Sequence, residues 1–189
     1  VASVKGDTRD TILKTAGALL QTRGFNGFSY AHIAEALEIK TAAVHYHFPS
    51  KTDLGLALLE KYRARYQRWM DEARGQPPWI TLEGFFSIYT HFSKDGMKVC
   101  PMGVLQAELG SIPEEMQAAT RAMTKETHAW LAGMLQEGRQ KGHFKFDGAP
   151  EDKAFVLLAT VQGALQLSRS MGREAFNAAI RQLKSDLGG

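Results

Sequence analysis

The sequence predicts an all-α fold in two parts. A small N-terminal unit spans residues 1–55, and a larger helical unit spans residues 56–189. Three observations carry this reading. Apolar residues recur at three- and four-residue spacing along nearly the whole chain. Helix-starting and helix-stopping residues flank those segments. No stretch reads as a convincing strand, and no repeat or low-complexity tract interrupts the pattern.

The elements follow in order. The first helix is "TRDTILKTAGALLQTRG", with Ile12, Ala16, Leu19 and Leu20 on one face. Asp7 or Thr8 is placed to cap its start, and Gly24 to end it in the left-handed conformation. Phe25 and Phe28 follow as core plugs. Ser29 is the expected N-cap of "YAHIAEAL", which turns Ile33, Ala34 and Leu37 inward. "KTAAVHYHF" forms a third short helix. Ser50 and Asp53 have capping-box spacing and open a long helix to about Arg74. "GQPPW" is the strongest breaker in the chain. Beyond it, helices are expected over 81–94, 101–110, 113–141, 151–171 and 173–187, with "GHFKFDGAP" as a loop at 142–150.

Composition sets bounds on function. The chain has 189 residues, 44% hydrophobic and 23% charged, as in an ordinary globular protein. The net charge of +3 permits a nucleic-acid partner without requiring one. Residues 1–55 hold six Lys/Arg and five acids, so any case for DNA must rest on placement. One cysteine excludes an internal disulfide, argues against a thiolate-rich metal site and fits a reducing cytoplasm. No apolar run approaches a membrane span of about 18 residues. The opening "VASVKGDTRD" has no apolar signal core.

Two short helices joined by a three-residue turn, with a third helix behind them, make a helix-turn-helix. Its second helix can enter the major groove, about 12 Å wide. "KTAAVHYHF" suits that place. Ala42 and Ala43 are small where a backbone must approach closely. Lys40 and Thr41 stand at the helix start, where backbone N–H groups favour a phosphate. His45, Tyr46 and His47 offer polar tips on flat rings. Val44 and Phe48 hold the helix to Ile33, Leu37 and the first helix. Lys51, in the first turn of the following helix, is placed to grip a phosphate.

The segment "FSYAHIAEALEIKTAAVHYHFPSKTDLGLALLE" resembles the DNA-binding signature of the tetracycline-repressor (TetR) family of transcriptional regulators. The resemblance rests on Gly24-Phe25, Ile33-Ala34, Val44-His45-Tyr46-His47-Phe48, Ser50-Lys51 and Leu54. It covers about the first 55 residues, and the all-helical remainder has the family's usual length and helix order. It implies a regulator, most often a repressor, that holds a double-stranded operator through Ser29, Tyr30, Lys40, Thr41, Ala42, Ala43, His45, Tyr46, His47 and Lys51. Two residues depart from the pattern. Glu38 replaces the usual turn glycine, which requires a left-handed or bridge conformation at about 1 kcal/mol. His45 replaces a common tyrosine, so its charge varies with pH.

The helix "EDKAFVLLATVQGALQLSRSM" is apolar nearly all round, as expected of a helix covered on two sides. The last helix carries a narrower stripe of Phe176, Ala179, Ile180, Leu183 and Leu187. Together they suggest a four-helix homodimer interface, with Phe155, Leu158, Gln162, Leu165, Phe176, Ile180 and Leu183 as its residues. The resemblance implies the same. A dimer would set two recognition helices about one DNA turn apart, or a multiple, and read a near-palindrome. The middle helices are rich in aromatic and methionine side chains, including Met97. These fit either a core or an adaptable ligand surface. The resemblance implies a small-molecule cavity there, and Trp69, Phe86, Tyr89, Met102, His128 and Gln162 are assigned to it. The inducer itself is not legible, and no cofactor is expected.

Cys100 precedes Pro101, which fits the first position of a helix. The helix N-terminus and Lys98 would both favour a thiolate. A cysteine opening this helix looks like the position used by family members that sense electrophiles or oxidants. A buried plug at the junction fits the same residue. Other classes find less support. No base stands at a justifiable spacing from Cys100 for cysteine-dependent catalysis. No H-E-x-x-H occurs. His45 and His47 point about 200° apart on a helix, wrong for a shared metal. A helical small-molecule-binding or interaction protein without DNA binding would leave Lys40, Thr41 and Lys51 unexplained.

Overall fold

The computed structural model describes the backbone of residues 2–94 and 98–188, and the side chains of 8–94 and 98–188. Met97 and the Asp7 side chain lie outside the described residues. Among the described residues the fold is all-α: α1 (Ala2–Arg23), α2 (Tyr30–Ala36), α3 (Thr41–His47), α4 (Lys51–Glu72), α5 (Pro78–Ser93), α6 (Pro101–Ala107), α7 (Glu114–Gln140), α8 (Pro150–Met171) and α9 (Arg173–Ser185). The helices cluster into two compact units. One contains residues 1–67 and 101–121, and the other 68–100 and 122–189.

In the first unit α6 and α2 pack on α1, and α3 packs on α2. Ile12, Leu13, Ala16 and Leu20 form the buried face of α1. Leu13 takes the place expected for Leu19, which is only half-buried. The expected cap at Asp7 or Thr8 is corrected, because α1 already begins at Ala2 and runs through both residues. Gly24 does end the helix, at φ +82°, and its N–H donates to Leu20 O at 3.0 Å. Phe25 and Phe28 are buried edge to face, their centroids 6.0 Å apart.

In the second unit α8 and α9 pack along each other, and α5 packs on both. Gly172 joins α8 to α9 at φ +83°. The single apolar stripe of α9 is buried at Phe176, Ile180 and Leu183, and Leu187, just beyond the helix end, is buried as well. Prolines start two helices earlier than expected. Pro78 and Pro150 occupy first-turn positions, where a missing N–H loses no hydrogen bond. The loop after α7 folds back over it. The N–H groups of His143 and Phe144 donate to Gly138 O at 2.8 and 3.1 Å, and Phe144 is fully buried. Trp79 Nε1 donates to His143 O at 2.9 Å, and Lys145 N to Leu187 O at 3.0 Å.

Candidate nucleic-acid interface

Local sequence fixes the two ends of α2. Ser29 has extended backbone at the N-cap of α2, and its N–H donates to His32 Nδ1 at 3.0 Å. His32 fills the third helical position, where a capping box usually has a carboxylate. The Ser29-x-x-His32 spacing is the sequence signal for this role, which the motif reading did not assign. At the other end of α2, Glu38 has φ 54°, the one left-handed non-glycine residue among those described. Ile39 N then donates to Ala34 O at 3.0 Å and closes the turn.

Lys40 opens α3 with extended backbone. Val44 and Phe48 are buried and fix which face of α3 turns outward. That outward face carries Lys40, Thr41, Ala42, His45 and Tyr46, with Ala43 and His47 half-buried at its edge. Tyr46 is 68% exposed. Its ring meets His47 edge-on at 5.3 Å. One cation, one hydroxyl, two small residues and three polar rings therefore share a surface eight residues long. Such a face can donate to phosphates and read base edges.

Two assigned residues sit differently from the rest. Tyr30 is buried. Its hydroxyl lies 2.8 Å from Phe48 O and 2.5 Å from Ser50 O, tying α2 to the turn between α3 and α4. Burial, helped by the charge of Asp53, pushes its phenol up to about 12. Lys51 is half-buried. Its Nζ donates to Phe28 O at 2.5 Å and lies 4.6 and 4.7 Å from the Phe25 and Phe28 ring centroids. Burial lowers its pKa, and the Glu108 carboxylate opposes that shift. Ser29 is exposed. The Ser50–Asp53 capping box is present: Ser50 N donates to Asp53 Oδ2 at 2.9 Å, and Asp53 N to Ser50 Oγ at 3.1 Å.

Glu108 carries a contact that no local sequence signal announces. Its Oε2 accepts from Phe25 N at 2.7 Å, and Asn26 Nδ2 donates to Ser111 Oγ at 2.9 Å. The end of α6 thus clasps the α1–α2 loop, 83 residues away in sequence.

Of the residues assigned to a small-molecule cavity, five lie in the second unit and Met102 in the first. Phe86 and Tyr89 are buried on α5, beside Phe85. Trp69 is half-buried, edge to face with Trp130 at 4.9 Å. Trp130 was not assigned. His128 Nε2 lies 2.9 Å from Glu151 O, and Gln162 is half-buried. Cys100 is buried. Of the residues assigned to a dimer interface, Leu165, Phe176, Ile180 and Leu183 are buried within the chain, Leu158 and Gln162 are half-buried, and Phe155 is 67% exposed. Val156, Leu167 and Met171 are also exposed on α8, alongside Ala159 and Gly163.

Known proteins bear on this architecture. The family model "Bacterial regulatory proteins, tetR family" matches residues 12–58. The model "Tetracyclin repressor-like, C-terminal domain" matches residues 81–183. The HTH-type transcriptional repressor NemR of Escherichia coli is 28% identical over 185 residues, covering 95% of this chain and 93% of its own. A TetR-family regulator from Agrobacterium tumefaciens superposes with a TM-score of 0.90 at 28% identity, covering 97% of this chain and 98% of its own. The reduced form of E. coli NemR superposes at 0.78 with 27% identity, covering 96% and 98%. The chain belongs to the TetR family of transcriptional regulators.

Proposed function

We propose that the chain is a ligand-responsive repressor. As a homodimer it binds a near-palindromic operator through residues 29–51, and a small molecule acting on the C-terminal helices releases it. The E. coli relative is named a repressor. The observation that carries the reading is the outward face of α3, where Lys40, Thr41, His45 and Tyr46 stand exposed while Val44 and Phe48 pin the helix from behind. The chain acts as a regulator and not as an enzyme. Its place of work is the cytoplasm, where the DNA lies. No described helix is long and apolar enough to cross a membrane.

The dimer reading is supported by α8, whose exposed Phe155, Val156, Leu167 and Met171 form an apolar stripe with Ala159 and Gly163. An added Cβ at Gly163 would meet nothing within 4 Å, so a partner helix can approach closely there. Release needs only a few kcal/mol of differential affinity between a DNA-fitting and a non-fitting conformation. Trp69, Phe86, Tyr89, His128 and Gln162, all in the second unit, remain the proposed ligand contacts. Cys100 is the residue an electrophile would alkylate, after the buried thiol becomes uncovered. If Cys100→Ser still releases DNA normally on electrophile treatment, that role is lost.

The test is selection of bound duplexes from randomised DNA, followed by binding measurements on what is recovered. A shared near-palindrome supports the reading. Salt-sensitive retention without a shared sequence means the head grips phosphates without reading bases. No retention by the reduced protein overturns it.

A further inference from the structure

We propose that His45 is a proton-dependent contact of the operator interface. It is held in one tautomer by the Pro49 carbonyl and steadied by the Tyr30 ring. Charged, it donates to a phosphate; neutral, it accepts from a base. The inference rests on the DNA-binding reading above and assigns a regulation to that same surface.

The geometry begins with the ring of His45, exposed in the middle of α3. Its Nδ1 lies 3.4 Å from Pro49 O. A carbonyl oxygen carries no proton, so within this pair Nδ1 must be the donor. In the neutral ring the proton is then on Nδ1, and Nε2 is an acceptor. A second proton turns Nε2 into a charged donor. The Tyr30 ring stands against the imidazole, centroids 4.6 Å apart and planes at 64°. Tyr30 cannot easily swing away, because it is buried and its hydroxyl is bonded to Phe48 O and Ser50 O. With its phenol pushed up to about 12, Tyr30 stays a neutral donor wherever an imidazole titrates. It is a positioning residue for His45.

Several titratable and charged groups on the elements packed here have partners of their own, while Lys40 stands exposed at the start of α3. On α2, His32 Nδ1 takes the Ser29 N–H. On α4, Lys51 holds Phe28 O and Asp53 closes the Ser50 box. On α1, Arg9 lies over the Phe48 ring at 5.0 Å. On α3 itself, His47 meets the Tyr46 ring edge-on.

A phosphate beside Nε2 favours the cation, so DNA raises the proton affinity of the ring. The sign follows. Operator affinity is gained as the ring takes up its second proton on lowering the pH and lost as it gives that proton up. The gained contact is to phosphate and carries no sequence information. The neutral ring instead accepts from an exposed amino group of adenine or cytosine in the major groove. Lower pH should therefore strengthen binding while narrowing the preference for the operator.

The experiment measures fluorescence anisotropy with a labelled duplex recovered by selection and an unrelated duplex of equal length. Both are titrated from pH 5.5 to 8.0 at fixed ionic strength. The expected result is on the order of a tenfold gain at low pH, larger for the unrelated duplex, with a salt slope steeper by about one per contacting histidine. His45→Tyr keeps a flat ring with a donor and should flatten the profile. Tyr30→Leu removes the ring and should shrink the proton-linked gain, whereas Tyr30→Phe retains it. His32→Gln should leave the shape of the profile unaltered. Circular dichroism confirms that each variant is folded. A flat wild-type profile overturns the inference, as does a pH dependence that survives His45→Tyr or disappears with His32→Gln. Failure to bind either duplex at any pH overturns the DNA-binding reading itself, a result distinct from binding with a flat profile.

Discussion

Alanine at two glycines of α7, five residues apart, should move stability in opposite directions. In a helix interior, glycine is less favourable than alanine by roughly 0.5–1 kcal/mol, because it has more backbone freedom to lose. Gly133 is exposed, and a Cβ there would meet nothing within 4 Å, so Gly133→Ala should collect that gain in full. At Gly138 a Cβ would be driven into the Phe144 ring, with Cδ2 and Cε2 inside contact distance and Cγ at 3.1 Å. The ring has little room to retreat. It is fully buried and sits edge to face with Trp79 at 5.0 Å. The N–H groups of His143 and Phe144 are both bonded to Gly138 O. Overpacking of this kind costs about 1–3 kcal/mol. After the helix-propensity gain, Gly138→Ala should lose about 1–2 kcal/mol. For a chain of this length, 1 kcal/mol moves Tm by about 2–4 °C. Gly133→Ala should therefore melt about 1–4 °C higher and Gly138→Ala about 2–8 °C lower. Urea midpoints at constant m and calorimetry at one protein concentration make the comparison sound for an assembling protein. Phe144→Leu in the Gly138→Ala background should recover part of the loss, giving a coupling energy between the two sites. If both single variants melt higher than the parent, the packing of the 142–150 loop on α7 is wrong.

Three further outcomes are expected. Glu38→Gly relieves the φ of 54° and should stabilise the chain by about 0.5–1 kcal/mol in urea unfolding; a loss would mean that the Glu38 side chain has an unrecognised role. Tyr30 has a folded pKa raised from 10.0 to about 12, so its contribution is fully present below pH 10 and is lost as pH rises through the folded value. Tyr30→Phe should remove that part of the alkaline destabilisation and, by leaving the Phe48 and Ser50 carbonyls without the phenol, lower stability at pH 7 by about 1–3 kcal/mol. Phe155→Asp puts a charge into the apolar stripe of α8 and should shift the protein toward monomers in analytical ultracentrifugation without unfolding it. An unchanged association state would move the interface elsewhere.

The recognition helix was legible because its sequence obeys two rules at once. Val44 and Phe48 are four residues apart and bury together, which leaves Lys40, Thr41, His45 and Tyr46 facing out. The left-handed turn at Glu38 was legible only through the family resemblance, because Glu38 stands where the family usually has glycine. Tyr30 was not legible. A tyrosine one residue after an N-cap can point outward to a phosphate or inward to a carbonyl, and the choice depends on where the α3–α4 turn lies in space. The Glu108 clasp depends on a contact across 83 residues and on no periodicity at all. The faces of α8 and α9 show a third limit. A helix apolar all round announces that it has neighbours, yet it does not say which face meets its own chain. Leu165, Phe176, Ile180 and Leu183 turned inward, while Phe155, Val156, Leu167 and Met171 turned out.

Lys51 is where the motif and the geometry pull in different directions, and one substitution separates them. The motif makes its ammonium a phosphate grip. In the structure that ammonium donates to Phe28 O at 2.5 Å and rests on two phenylalanine rings. Burial lowers its pKa, and the Glu108 carboxylate, itself bound to Phe25 N, pulls it back up. An ammonium has three donors, so bonding to Phe28 O does not by itself bar a phosphate. Lys51→Met keeps the apolar stem against Phe25 and Phe28 and deletes the charge and its N–H donors. It should lower stability by on the order of 1 kcal/mol, because Phe28 O loses its donor. Its effect on DNA then tells the two roles apart. If Lys51 grips a phosphate, affinity falls for every sequence and the salt slope drops by about one. If it only braces the α1–α2 loop, affinity falls with the reading head's order and the salt slope stays as it was. A Lys51→Met protein with unchanged stability, affinity and slope would leave neither role standing, and the cluster of Lys51, Phe25, Phe28 and Glu108 would have to be judged a packing arrangement without consequence for DNA.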